Sequence, residues 1–236
     1  VVGLVIRLKV EESQDFADAK AHQRVVRAPL VTAVRTAPTL VFFGVLASIM
    51  GIAMAYFNNT FLLSWATGPL GIERQLMLNI TLGIAILQFA WQPIAARIAE
   101  RFGIERVMLA GLLLAFVNIV PFFLAISSAD PVWITAGLVV ATIGGTAYYA
   151  LLASQLASAF PAHIRYSGIS LAYQLCATVF GGSTPLIAQW ILNSSGNNPW
   201  AVAVFYAVWV VLTIVGVWGL KRAVDARSSD VVPAAG

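Results

Sequence analysis

Charge is what this sequence has least of. Of its 236 residues, 10% are Asp, Glu, Lys or Arg and 60% are hydrophobic, whereas a soluble domain carries roughly 25% charged residues. No charged side chain occurs from Thr36 to Ile72, from Gln75 to Ala96, from Val107 to Ala129, from Pro131 to Ile164 or from Tyr166 to Leu220. A bilayer-spanning helix needs about 20 apolar residues, so these runs exclude a water-soluble domain. Cys176 is the one cysteine and lies inside an apolar run. That excludes a disulfide framework and a Cys-based metal site, and it reads as a small buried packing residue. No glycine-rich phosphate loop with a lysine is present, which excludes ATP-driven work by this chain. No nucleophile–base pair or metal cluster stands out, and His22 and His163 both fall in loops. The expectation is no enzyme, no metal and no cofactor. The span interiors hold no Asp, Glu, His, Lys or Arg, although intramembrane carboxylates are the usual proton carriers. Any proton site therefore belongs outside these runs.

What charge there is has a pattern. The last run is long enough for two spans and is divided by Asn193-Ser194-Ser195-Gly196-Asn197-Asn198-Pro199, a turn-forming cluster. The expected fold is an all-α integral membrane domain of six transmembrane helices. Its spans are read at residues 38–63, 75–96, 107–127, 132–158, 168–191 and 200–220. All of the 14 Lys and Arg except Arg74 then fall on one side of the six-span stack. By the positive-inside rule both ends and the Arg97–Arg106 hinge are cytoplasmic, in a multi-pass protein of the cell (inner) membrane. The net charge of +4 is explained by this asymmetry and does not point to nucleic acid.

Outside the spans, Val1 to Ile6 is apolar but too short to cross, is followed by Arg7 and Lys9, and lacks an initiator Met. Residues 1–8 read as the cytoplasmic end of a preceding helix, and the chain as a fragment. Residues 9–37 read as a cytoplasmic loop. Within it Val25, Val26, Leu30 and Val34 share helical spacing with Arg24, Arg27 and Arg35 interleaved, which suits a short amphipathic interfacial helix. Residues 221–236 read as a polar, unstructured cytoplasmic tail.

Polar side chains inside the spans are the candidates for function, because an unsatisfied amide in hydrocarbon is costly. Asn58 and Asn59 interrupt the first span. They either contact a ligand, permit a local break in the helix, or join helices at about 0.6–2 kcal/mol per contact. Gln88 and Gln92 stand four apart with Trp91 beside them, followed by Pro93, which allows a kink. The third span is nearly all aliphatic and is expected at the periphery. In the fourth, Gly144-Gly145 precedes Tyr148-Tyr149; adjacent residues point about 100° apart, so at most one tyrosine faces a given cavity. The fifth span carries Tyr173, Gly181-Gly182 and Pro185, which fit a bent, closely packed helix. The cavity-lining candidates are Asn58, Asn59, Gln88, Trp91, Gln92, Tyr148 and Tyr173, facing a small polar solute.

Two loops carry a resemblance. The hinge Ala96-Arg97-Ile98-Ala99-Glu100-Arg101-Phe102-Gly103-Ile104-Glu105-Arg106 resembles the major facilitator loop motif, Gly-x-x-x-Asp-Arg-x-Gly followed by basic residues. Arg101, Gly103 and Arg106 fit; Ala96, Glu100 and Glu105 depart from it. A degraded copy is what the resemblance implies for the second half of such a transporter. Phe160-Pro161-Ala162-His163-Ile164-Arg165-Tyr166-Ser167-Gly168-Ile169-Ser170-Leu171-Ala172-Tyr173-Gln174 is similar to the segment between the tenth and eleventh helices of the metabolite:proton symporter family. Glu12-Ser13-Gln14-Asp15-Phe16 resembles the Glu-Ser-Pro-x-Phe sequence that follows the sixth helix in sugar and metabolite porters, with Gln14 in place of Pro, and Ala28-Pro29-Leu30 with Arg35 resembles the symporter family's approach to its seventh helix.

The resemblance covers essentially the whole chain, as the C-terminal half of a 12-helix transporter. It implies secondary active, proton-coupled transport of an organic acid, betaine or amino-acid-like solute by alternating access. It also implies an N-terminal six-helix half of the same protein as partner, beside the bilayer, the solute and protons. Arg165 is then expected to anchor its loop to carbonyls or to acidic groups such as Glu100, in a pair that forms in one access state. A self-contained six-span homodimeric channel or membrane sensor is the alternative. Which solute is carried is not legible.

Overall fold

A computed structural model describes residues 29–231, with side chains from 33 to 227. The expected preceding helix end at 1–8, the loop up to residue 28 and residues 232–236 lie outside the described residues. The described chain is all-α. Helix α1 (Pro29–Thr36) leads into α2 (Pro38–Tyr56), which passes through a π-helical turn, Phe57–Leu62, into α3 (Leu63–Thr67). Pro38 sits in the first turn of α2, where its missing N–H has no intrahelical partner to lose. Then come α4 (Arg74–Phe102), α5 (Ile104–Val117), α6 (Ile119–Ser127) and α7 (Pro131–Ala159). Helix α8 (Arg165–Cys176) runs through a second π-helical turn, Ala177–Gly181, towards α9 (Thr184–Ser194), and α10 (Pro199–Val231) closes the domain. By length and composition five helical stretches can cross a membrane, and six if α5 and α6 count as one bent span.

Helix ends follow the local chemistry. Gly103 has φ +91° and separates α4 from α5, a conformation that excludes most L side chains and lets the two helices turn back on each other. The Asp130 carboxylate accepts from the Val132 and Trp133 N–H groups at 2.8 and 3.3 Å, capping α7.

Packing is set by glycines. A Cβ at Gly111 would stand 2.5 Å from the Gly144 carbonyl oxygen, and one at Gly144 would stand 2.8 Å from that of Gly111. Helices α5 and α7 therefore touch backbone to backbone. At Gly216 a Cβ would run into the Ala47 backbone, so α10 and α2 touch in the same way. Between helices in lipid, where apolar surface alone gives little preference, such approaches gain dispersion contacts. At the second crossing Thr213 Oγ1 accepts from the Met50 N–H at 3.1 Å and donates to the Trp209 carbonyl at 2.8 Å. Towards the other end Phe57, Phe61, Trp65, Phe122, Phe123 and Tyr206 pack as one aromatic cluster, with ring centroids 4.9 to 6.4 Å apart.

Two expectations need correction. The third span is not peripheral: Met108, Gly111, Leu112, Ala115, Ile119, Phe122, Phe123, Ala125 and Ile126 are buried. It is also bent by 44° at Asn118. Pro121 has no N–H for the Val117 carbonyl four residues back, and this frees the bend. Asn118 donates its amide to the Gly137 carbonyl at 3.4 Å. Helix α4 is the exposed one, burying only Met77, Ala95 and Ala99, and it runs unbroken through Pro93. The tail is not unstructured from residue 221: α10 continues to Val231, since no Gly or Pro interrupts Lys221 to Val231. Arg222 also folds back over the Trp218 ring at 3.7 Å.

Gly111→Ala is expected to destabilise the purified protein by about 1–3 kcal/mol, the usual range for overpacking, read as a lower thermal midpoint in detergent. Gly145→Ala, one residue along α7 from Gly144 with no atom within 4 Å of its would-be Cβ, should leave the midpoint unchanged.

Candidate functional site

A cavity of about 380 Å³ lies between α2, α4 and α7. Asn58 and Asn59 reach it from the first π-helical turn and Gln88 from α4, with Thr81 and Thr142 beside them. The turn explains how this happens. It buries Phe57, Phe61 and Leu62, and the π-helical winding shifts the following side chains relative to an α-helix. The two asparagines are left on the cavity side. Asn58 Oδ1 is shielded from solvent and has no hydrogen-bond partner, an unmet acceptor in a wall where most buried polar atoms are paired.

The other candidates divide. Trp91 donates Nε1–H to the Ile143 carbonyl at 3.0 Å, bracing α4 against α7, and does not line the cavity. Gln92 is half-buried one turn beyond Gln88 and is also outside the lining. Tyr148 contributes its ring to the wall, but it is only 1% exposed and its hydroxyl donates to the Ala47 carbonyl. Tyr149 is 36% exposed, lines the same cavity and stands 3.3 Å from the Tyr173 hydroxyl, oxygen to oxygen. Tyr149, not chosen from the sequence, is thus the more exposed of the two tyrosines that line the cavity. The signal was present: Tyr148 follows Gly144 by four residues, so it shares the stripe that the glycine crossing buries, and Tyr149 is turned outward.

The charged hinge forms a separate group. Glu100, Gly103, Glu105, Arg106, Gln155 and Lys221 surround a second cavity of about 750 Å³ between the end of α4, the start of α5, α7 and α10. Lys221 Nζ meets Glu105 Oε2 at 2.6 Å. Arg101 is exposed. Arg165 donates Nε–H to the Phe160 carbonyl at 3.3 Å, closing its own loop, and forms no ion pair with Glu100. In this conformation Arg165 anchors to a carbonyl, and the paired carboxylate of the hinge is Glu105, with Lys221. The helical extension of α10 brings the lysine to the hinge, while Arg165 finds a carbonyl five residues back. Gln155 is 5% exposed and neither of its amide atoms has a partner. Among the described residues no group of three or more His, Cys, Asp or Glu could hold a metal.

Comparison with known proteins now adds to this geometry. The family model described as "Sugar (and other) transporter" matches residues 9–225. The chain is 29% identical over 206 residues to the shikimate transporter of Escherichia coli (strain K12), covering 86% of this chain and 47% of that protein. It is 30% identical over 202 residues to the citrate-proton symporter of Klebsiella pneumoniae, covering 82% and 44%. It is 27% identical over 246 residues to the proline/betaine transporter of Escherichia coli (strain K12), covering 100% and 48%. The chain spans about half the length of the curated relatives it matches. No solved structure matches.

The hinge pair can be tested by reversal. Lys221→Glu and Glu105→Lys should each lower the thermal midpoint, and the double variant should recover most of the loss at low salt. Reversing Glu100 and Arg165 together should recover nothing, since those two groups are not partners in this structure.

Proposed function

The chain belongs to the sugar (and other) transporter family, and from that premise we propose that it is a six-helix half of a secondary active transporter for a small polar metabolite. Alternating access is the mechanism, a proton the coupling ion and the cytoplasmic membrane the location. The observation that carries this reading is the amide-lined cavity beside an uncovered apolar helix. Helix α4 exposes Leu82, Ile86, Phe89 and Ile94, and Asn59 and Gln88 open beside that face. Hydrocarbon could cover the apolar residues but not the amides, whose hydrogen bonds lipid cannot replace. A second helical half of the same protein, packed across this face, would close the cavity between the two. Rocking of one half against the other would then open it to either side.

The names of the relatives bound the solute: shikimate, citrate, proline or a betaine. Asn59 and Gln88 are the groups that would hydrogen-bond it, with Asn58 as the unmet acceptor. Trp91 and Tyr148 would position the wall, and Gln92 would lie on the half-to-half face. The proton carrier belongs to the other half, because the spans of this chain hold no carboxylate in their interiors. The hinge, with Arg97, Arg101 and Arg106, and the Lys221 end of α10 would face the cytoplasm.

Reconstituted in liposomes with an inward proton gradient, the full-length protein is expected to accumulate one of these solutes, and to do so less once the gradient is collapsed. Failure to move any of them would sink the reading. Gln88→Leu should raise KM by about two- to tenfold, the range for one lost neutral hydrogen bond, with expression unchanged. In a Cys176→Ser background, Gly196→Cys should react with an impermeant maleimide added outside intact cells and Arg101→Cys should not. The opposite result would invert the proposed orientation.

A further inference from the structure

A short stretch of α7 is pinned by three other helices. The Ile143 carbonyl accepts from Trp91 of α4 at 3.0 Å. Gly144, the next residue, lies so close to α5 that an added Cβ would stand 2.8 Å from the Gly111 carbonyl oxygen. Further along, the Tyr148 hydroxyl donates to the Ala47 carbonyl of α2. The backbone between these ties cannot retreat, and Gly145 lies within it. Gly145 lines the cavity between α2, α4 and α7, and no atom stands within 4 Å of where its Cβ would be. Its conformation does not call for glycine: it sits inside α7 without a positive φ, where glycine costs about 1 kcal/mol relative to alanine. The described helices do not require it by contact either, in contrast with Gly144. At Gly51, the other glycine of the lining, the Tyr149 ring takes the space, 2.8 Å from a would-be Cβ. Gly145 therefore leaves a notch in the cavity wall that no described side chain fills.

The α2 and α4 walls differ in kind. Three of the chain's four methionines, Met50, Met54 and Met77, line the cavity from these helices. Thioether side chains are unbranched and flexible, and they re-pack around guests of different shape. A backbone tied at three points does not. A cavity with yielding walls and one fixed wall is limited in size at the fixed wall. Taking the transport reading above as its basis, we propose that Gly145 is a specificity-determining residue that sets the upper size limit of the carried solute. The solute's bulk occupies the notch beside the pinned α7 backbone, and each carbon added at position 145 is subtracted from that space.

The test uses the full-length protein in liposomes, with labelled shikimate, citrate, proline and trimethylglycine as probes. Gly145→Ala, Gly145→Val and Gly145→Leu should raise KM for the carried probe in that order, reaching about tenfold or more at Val, the scale of one misplaced methylene in a pocket. The thermal midpoint of Gly145→Ala should stay at the wild-type value. In a Cys176→Ser background, Gly145→Cys should react with a small methanethiosulfonate, and saturating probe should slow that reaction. The Ala variant and the cysteine labelling decide the matter if the larger variants do not fold. An equal loss in Ala and Leu that falls on kcat rather than KM would assign the glycine to helix bending and overturn the proposal. A lower midpoint in Gly145→Ala would make the notch a seat for the other half of the protein, with the same consequence. Labelling that the probe does not slow would also overturn it. If a probe is carried with a KM indifferent to residue 145, this proposal falls and the transport reading stands. If the wild type carries none of the probes, the transport reading falls and the size limit with it.

Discussion

Two backbone-to-backbone crossings organise this domain. Where α10 meets α2 at Gly216 and Ala47, and where α5 meets α7 at Gly111 and Gly144, a single methyl group would collide with main-chain atoms. Once the helices are that close, other groups follow. Thr213 comes within reach of the Met50 N–H, and the Tyr148 hydroxyl reaches the Ala47 carbonyl from α7. Helices α2, α7 and α10 are thereby tied at one level, and Tyr148 is committed to the core. Its neighbour Tyr149 is turned about 100° away, which is why the open wall carries that phenol.

The two π-helical turns act on the same region. One carries Asn58 and Asn59 in the first span; the other ends at Gly181 in the fifth, and Tyr56 bridges from the first span to that glycine. Such turns are frequent at functional sites because they re-aim side chains without ending the helix. Here the first aims amides at a cavity while Phe57 and Phe61 stay in the aromatic cluster. Rigid packing lies on one side of the turn and polar, incompletely satisfied groups on the other. A helix that must both anchor a fold and present a binding wall needs that division.

At the charged end, the hinge is held by partners other than its spacing suggests. Glu105 is tied to Lys221 across from α10, and Arg165 secures its loop through the Phe160 carbonyl. Glu100 faces the second cavity beside Gln155. The pair is solvent-exposed, so its main effect is to fix the geometry of helix ends. The glycine at 103, with its positive φ, sets the turn itself.

Six spans, their charge asymmetry, the turn at Gly103 and the family resemblance were legible in the sequence, because each depends on local composition: apolar length, the placement of arginines, and one residue able to adopt φ > 0. The interruption at Asn58 and Asn59 was legible for the same reason, since amides in an apolar run must find partners. What only the tertiary structure decided was which faces meet. The third span, nearly all apolar, is buried and bent because Gly111 finds Gly144 and Pro121 frees the Val117 carbonyl. The more polar α4 is left uncovered. Tyr149 rather than Tyr148 is the exposed tyrosine of the cavity wall, and Lys221 rather than Arg165 meets the hinge. In a chain this apolar, hydrophobic periodicity does not tell inside from outside, because lipid and protein core accept the same side chains. Close approach at small residues makes the choice, and it depends on pairs of positions far apart in the chain.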